Sequence, residues 1–319
     1  MKKIMLFRIL LILCALLLAL AGCKKSDVKP AGLQVVTSLF PLYDFARSIA
    51  GDKASVTLLL PPGMEPHTYE PKPEEMIRIN RAGLFIYTGR YMEPWAEKLV
   101  KGLENKTLCV VEAGKLATYR AADFDEEHHH EAKTGEQHEH LPTDPHIWLD
   151  FQNAAIIVDA ILEGFIAADS ANTDFYRKNA DLLKARLAAL DGRFRESLAS
   201  CSTRKLLHAG HYTFGYLTWR YNLEYHSLSG VSSDSEPSAS RMASLIKEIR
   251  ASGAKYLFAE ELLSPRLAET LALEAGVSVL TLHGAHNLSR DEFSKGTTFF
   301  DLMEMNLERL QKGLKCQVK

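Results

Sequence analysis

The strongest constraint on this chain is an alternation, run through twice, of short branched apolar stretches with amphipathic ones. In the first half, residues 33–37, 56–60, 84–88 and 108–111 read as strands, with helices at 42–50, 73–82 and 94–103. In the second half, strands at 205–208, 223–227, 256–259 and 277–282 alternate with helices at 212–221, 239–251 and 265–275, and 299–313 forms a closing helix. Such alternation builds parallel sheets covered by helices on both faces. The predicted fold is α/β: two similar parallel-sheet lobes, 33–168 and 203–319, joined by a linking helix within 169–202. That linking stretch follows a predicted helix at 151–168. Its own helix, 173–200, carries an apolar stripe of Leu182, Leu183, Leu187, Leu190 and Phe194. At about 1.5 Å per residue it would be ~42 Å long, a stiff strut rather than a loose hinge.

The first 22 residues stand apart. Lys2, Lys3 and Arg8 precede an unbroken apolar run, too short to span a bilayer comfortably, which reads as an export signal. It ends in Leu20-Ala21-Gly22-Cys23, which resembles the lipobox of bacterial lipoproteins. The resemblance implies cleavage before Cys23 and lipid on that residue, with more than one chain for stable anchoring. Residues 23–32 then read as a tether. No other segment is expected to be apolar and long enough to cross a membrane. Among the remaining cysteines, Cys109 lies in an apolar run and reads as a buried thiol. Cys201 and Cys316 each end a predicted helix, and an exported protein can keep a disulfide, so they are a candidate pair. A net charge of −2 gives no surplus of Lys and Arg for phosphate, which argues against a nucleic-acid partner.

The chain has 12 histidines, in two kinds of setting. His128, His129, His130, His138 and His140 crowd into residues 123–140, an acidic tract nearly free of apolar side chains. Such a tract cannot build a core and reads as a loop with weak, exchangeable metal affinity. The others are sparse. His67 follows a predicted strand within Pro61-Pro62-Gly63-Met64-Glu65-Pro66-His67-Thr68-Tyr69-Glu70-Pro71. His146 lies in Thr143-Asp144-Pro145-His146-Ile147-Trp148-Leu149-Asp150. His211 falls at the turn of Leu206-Leu207-His208-Ala209-Gly210-His211, and His283 and His286 follow the last predicted strand. Loops beyond the carboxyl ends of parallel strands are where open α/β sheets bind ligands. His208 and His226 read as structural. Four strand-end positions, two per lobe, would close a tetrahedral zinc site between the lobes.

These motifs resemble the metal-binding receptors of bacterial ABC importers for zinc and manganese, the zinc-uptake and TroA-like family. Pro61-Pro62-Gly63 through Pro71 is similar to its first ligand motif, Asp144 to Asp150 to its second, and His211 with Phe214-Gly215-Tyr216 to its third. Glu236-Pro237-Ser238 and Phe258-Ala259-Glu260 also resemble family signatures. The resemblance implies ligands at His67, His146 and His211. The family's usual fourth ligand, a carboxylate or water, falls where this chain has His286, with His283, Glu65 and Glu260 as alternatives. An all-imidazole set favours Zn²⁺ over Mn²⁺. The implied function is a monomeric, lipid-anchored receptor that faces the periplasm or cell exterior, with permease and ATPase subunits as partners. Rival readings are a manganese receptor, a surface zinc-buffering or adhesion lipoprotein, and a zinc hydrolase. The last lacks an HExxH motif and would need an open metal position with Glu65 or Glu260 as base. If the ligands titrate like free histidines, affinity should fall as pH drops through about 6.5.

Overall fold

The computed structural model of the chain describes residues 32–124, 142–231, 237–261 and 265–317. The export signal, Cys23, most of the tether, the five crowded histidines and Glu236 lie outside the described residues. From Leu33 onward the chain forms one compact unit.

The first sheet contains β1 (Leu33–Thr37), β2 (Ala54–Leu58), β3 (Leu84–Tyr87) and β4 (Cys109–Glu112), all parallel, in the order β2-β1-β3-β4. Helices α1 (Phe40–Ala50), α2 (Pro73–Arg81) and α3 (Pro94–Gly102) connect them, each with proline in its first turn, where a missing N–H costs nothing. A two-residue antiparallel pair, β5 (Arg120–Ala121) and β6 (Thr143–Asp144), was not legible in the sequence. The second sheet contains β7 (Lys205–Ala209), β8 (Glu224–Ser227), β9 (Tyr256–Glu260) and β10 (Ser278–Leu282), in the order β10-β9-β7-β8. Counted from the other edge, this is the strand order of the first sheet. Each sheet therefore has a switch point between its own first and third strands, where a crevice opens beyond the carboxyl ends.

Between the sheets run α4 (Phe151–Ala168) and α5 (Thr173–Ala199). Leu183, Leu187, Leu190 and Phe194 are buried as the stripe predicts, whereas Leu182 is exposed. Helix α4 corrects one expectation. Its 18 residues, at mean hydropathy 1.5, are long and apolar enough to cross a membrane. The reason is that it packs against both β4 and α5, so it is apolar on more than one face. Phe151 of α4 meets Phe194 of α5 edge to face at 5.2 Å, and Phe194 stacks on Tyr221 of the second lobe at 5.4 Å. One continuous core thus includes residues of both lobes.

The second lobe continues with α6 (Gly215–Arg220), α7 (Ala239–Ser252), α8 (Pro265–Ala275), α9 (Arg290–Lys295) and α10 (Phe299–Gly313). Helix α6 is shorter than the predicted 212–221. Tyr225 Oη accepts the N–H groups of Thr213 and Phe214 at 3.2 and 3.3 Å and holds residues 212–214 in a turn. Cys109 is half-buried rather than buried, and burial raises its thiol pKa. The Cys201 and Cys316 sulfurs lie 1.86 Å apart, joining the end of α5 to the chain's C-terminal segment.

Candidate metal centre

The residue types at the crevice are set by the turns that carry them. His67 stands in the proline-bounded segment after β2, where Glu65 accepts its backbone N–H at 3.1 Å. That segment is fastened to the other lobe. Asn287 Nδ2 donates to the carbonyls of Pro61 and Met64 at 2.9 and 2.7 Å, and Gly63 N–H donates to Leu288 O at 2.7 Å. His146 follows β6. Asp144 Oδ1 accepts its backbone N–H at 3.0 Å and lies 2.8 Å from its Nδ1. Trp148, two residues on, donates its indole N–H to Gly284 O at 2.8 Å, again across the lobes. His211 leaves the end of β7, at the switch point, and its Nδ1 lies 2.8 Å from Glu260 Oε2 at the end of β9.

The structure brings His67, His146 and His211 together. His146 Nε2 is 3.2 Å from His67 Nε2 and 3.2 Å from His211 Nε2. The three form the one metal-capable group of histidine, cysteine or acidic side chains among the described residues. His286 packs beside them, its ring centroid 5.9–6.2 Å from theirs. It is fully buried, and neither of its ring nitrogens has a hydrogen-bond partner. His283 is engaged elsewhere: its Nδ1 accepts Ala285 N–H at 2.9 Å and lies 3.2 Å from Glu261. Glu260 faces His211 with one oxygen, while the other lies 3.7 Å from His286 Nε2. His208 is buried with Nδ1 3.0 Å from Tyr225 Oη. His226 is held between Glu224 and Glu248, each at 2.9 Å.

Three glycines leave room for this arrangement. A Cβ on Gly215 would lie 2.5 Å from Asp144 Oδ2, one on Gly210 2.8 Å from Glu260 Oε2, and one on Gly284 2.6 Å from the His286 ring. Sequence reasoning missed the supporting carboxylate of Asp144, although it is two residues from His146. It also missed the Asn287 clasp and Thr213, whose hydroxyl lies 2.9 Å from His211 Nε2. A polar residue adjoining each candidate histidine was the available signal.

Burial dominates the electrostatics. It lowers His67 and His286 to about 3, helped by the charge of neighbouring imidazoles, and holds His146 well below its ordinary value. Burial also pulls His211 down, but the charge and hydrogen bond of Glu260 outweigh it and raise the net value. Glu260 is lowered to about 2, since His211 overrides its burial. Asp144 goes the other way, raised by burial to about 8.

These facts fit a tetrahedral cation. Nitrogens about 2.0–2.1 Å from a tetrahedral zinc lie about 3.3–3.4 Å apart, close to both observed separations. Once a cation is bound and Asp144 has given up its proton, each carboxylate can accept from Nδ1 and leave the Nε2 lone pair to the ion. Two such lone pairs facing each other cannot bond directly; they need a proton or a cation between them.

The class so defined is a two-lobed α/β protein with a metal-type histidine cluster between lobes of one topology. The chain belongs to the zinc-uptake complex component A family, ZnuA, whose family model matches residues 35–313. It is 34% identical over 98% of its length to the zinc-binding lipoprotein AdcA of Streptococcus pneumoniae, and spans 61% of that protein. It is 33% identical to the high-affinity zinc uptake system protein ZnuA of Bacillus subtilis, covering 96% of this chain and 97% of that one. The Zn(II)-bound ZnuA-like domain of Streptococcus pneumoniae AdcA matches with a TM-score of 0.73 at 31% identity, covering 89% of this chain and 99% of the domain.

Proposed function

We propose that this chain is the zinc receptor of an ABC importer, anchored through lipid on Cys23 outside the cytoplasmic membrane. The single observation that carries the reading is the convergence of three imidazole Nε2 atoms, two of them oriented by buried carboxylates. His67, His146 and His211 are the first three ligands and His286 the fourth, so that each lobe supplies two. Four neutral imidazoles favour zinc over manganese, which prefers oxygen donors. His67 is the one ligand that is not fully buried, which makes its segment the route of entry and exit. With four protein ligands no position stays open for a reacting water, so the ion is carried and not used for catalysis. Release to the permease then requires only a small shift of the His67 segment against its Asn287 clasp, since the core is continuous between the lobes. The crowded histidines of the acidic tract act as an accessory that raises local zinc concentration.

Chelator-competition titration with Zn²⁺ and Mn²⁺ tests this. Deleting residues 125–141 should leave tight zinc binding intact, and His67→Ala should abolish it. The opposite pattern would place the tight site in the acidic tract and refute the assignment. Manganese binding as tight as zinc binding would refute the metal.

A further inference from the structure

Helix α6 begins at Gly215, just past the turn that carries His211, and bears Tyr216 and Arg220 one turn apart on one face. The two side chains reach opposite ends of the segment that bears His146. Tyr216 is fully buried. Its hydroxyl accepts the N–H of Arg120 at 2.9 Å and donates to the carbonyl of Asp144 at 3.0 Å. Arg120 and Asp144 face each other across β5 and β6, so one hydroxyl from the second lobe joins both strands next to the His146 turn. At the other end, Arg220 Nη1 donates to Asp150 Oδ1 at 2.9 Å. Its Nε and Nη2 grip both oxygens of Asp191 on α5, each at 2.7 Å. Asp150 in turn caps α4 by accepting the N–H of Gln152 at 2.8 Å. The Arg220 side chain is only 6% exposed, so solvent screens little of this charged fork.

We infer that Tyr216 and Arg220 are positioning residues for zinc capture: from the helix that follows His211 they hold both ends of residues 144–150 and set His146 against His211 before the ion arrives. This rests on the reading of the histidine cluster as the cargo site. The His146 turn belongs to the first lobe by sequence, yet its backbone is fastened from the second. The 3.2 Å spacing of the His146 and His211 Nε2 atoms is then a property of the fold, and the ion does not have to impose it. Ordering two ligands in advance takes their entropy out of the cost of binding. His67, the least buried of the four, completes a pair that is already in place.

Tyr216→Phe removes only the hydroxyl, and Arg220→Lys keeps the charge but loses the fork. In chelator competition on the mature protein, Tyr216→Phe should bind Zn²⁺ about tenfold more weakly, the lower end of what loss of an outer partner costs. Arg220→Lys should weaken binding by less. Placed in His146→Ala, neither change should weaken binding further, because nothing is left for it to position. Amide hydrogen exchange of the peptide spanning residues 144–150 gives a readout that does not depend on affinity. In the parent this peptide should already be protected in chelator-treated protein. In Tyr216→Phe it should exchange faster without zinc and recover its protection when zinc is loaded, whereas a purely structural role would loosen it in both states. A parent peptide that gains protection only with zinc overturns the inference. So does a loss of affinity that persists undiminished in His146→Ala. Should Tyr216→Phe fail to fold, Arg220→Lys carries both measurements. If His146→Ala itself binds zinc as tightly as the parent, the cluster reading fails; if it loses zinc while Tyr216→Phe and Arg220→Lys match the parent, only the positioning role fails.

Discussion

The two lobes share a strand order but deliver their histidines differently. In the first lobe His67 follows β2 and His146 follows β6, both in proline-bounded turns, and His146 is supported by a carboxylate two residues away. In the second lobe His211 follows β7 and His286 follows β10, and His211 is supported from 49 residues away by Glu260 on β9. Their electrostatics differ as well. Burial lifts Asp144 to about 8, so its pair with His146 is neutral at pH 7, whereas Glu260, lowered to about 2, forms an ion pair with His211. The same topology thus yields one locally built neutral half-site and one long-range charged half-site. Duplicating a fold does not duplicate its chemistry; the loops decide it.

The sharpest way to break this comparison is to remove one ligand from each lobe. His146→Ala and His211→Ala should each weaken zinc binding by more than about a hundredfold, beyond what loss of a supporting group costs. Retention of tight binding by either would make the site one-sided. The supporting carboxylates come next. Asp144→Asn and Glu260→Gln should each cost about 10- to 100-fold in zinc affinity. Glu260→Gln should cost more, because Glu260 is already charged in the empty site whereas Asp144 must first give up a proton to support the ion. Equal losses would erase the electrostatic difference between the lobes.

The pH dependence expected from these buried histidines is gentler than a collapse near 6.5. A ligand must be deprotonated to bind metal. His67, His146 and His286 are already held neutral by burial, so acid does not compete there until far below pH 6. His211 is raised, so its proton must be expelled below that raised value; Asp144 loses its proton when His146 takes the ion below about pH 8. Zinc affinity should therefore fall with a slope between one and two protons from pH 8 to 5, read by competition titration. A slope approaching four would mean that the imidazoles behave as free histidines. The smallest effect belongs to the Cys201–Cys316 link, which touches none of the proposed ligands in sequence. Replacing both with serine should lower stability by about 2–4 kcal/mol in thermal unfolding and leave zinc affinity unchanged.

The same contrast between local and long-range explains what the sequence revealed. Strands, helices and the apolar stripe of α5 follow from periodicity, and α8 and α10 coincide with their predicted spans. Leu182 and the shortened α6 escaped because periodicity does not resolve the edge of an apolar stripe or the first turn of a helix. The histidines were visible as motifs, since rigid turns leave marks in proline and glycine. Their partners across the fold left none. Asn287 reaches residues 61 and 64 of the other lobe, and Glu260 reaches His211 between adjacent strands; both pairings exist only once the sheets are assembled.

The central claim is that one ion is held by four imidazoles, two from each lobe. The most direct measurement is the X-ray absorption spectrum of the zinc-loaded protein lacking residues 125–141, so that the crowded histidines cannot contribute. The account predicts four nitrogen neighbours at about 2.0–2.1 Å with the outer-shell scattering of imidazole. Three or fewer imidazoles with an oxygen or sulfur neighbour would contradict it.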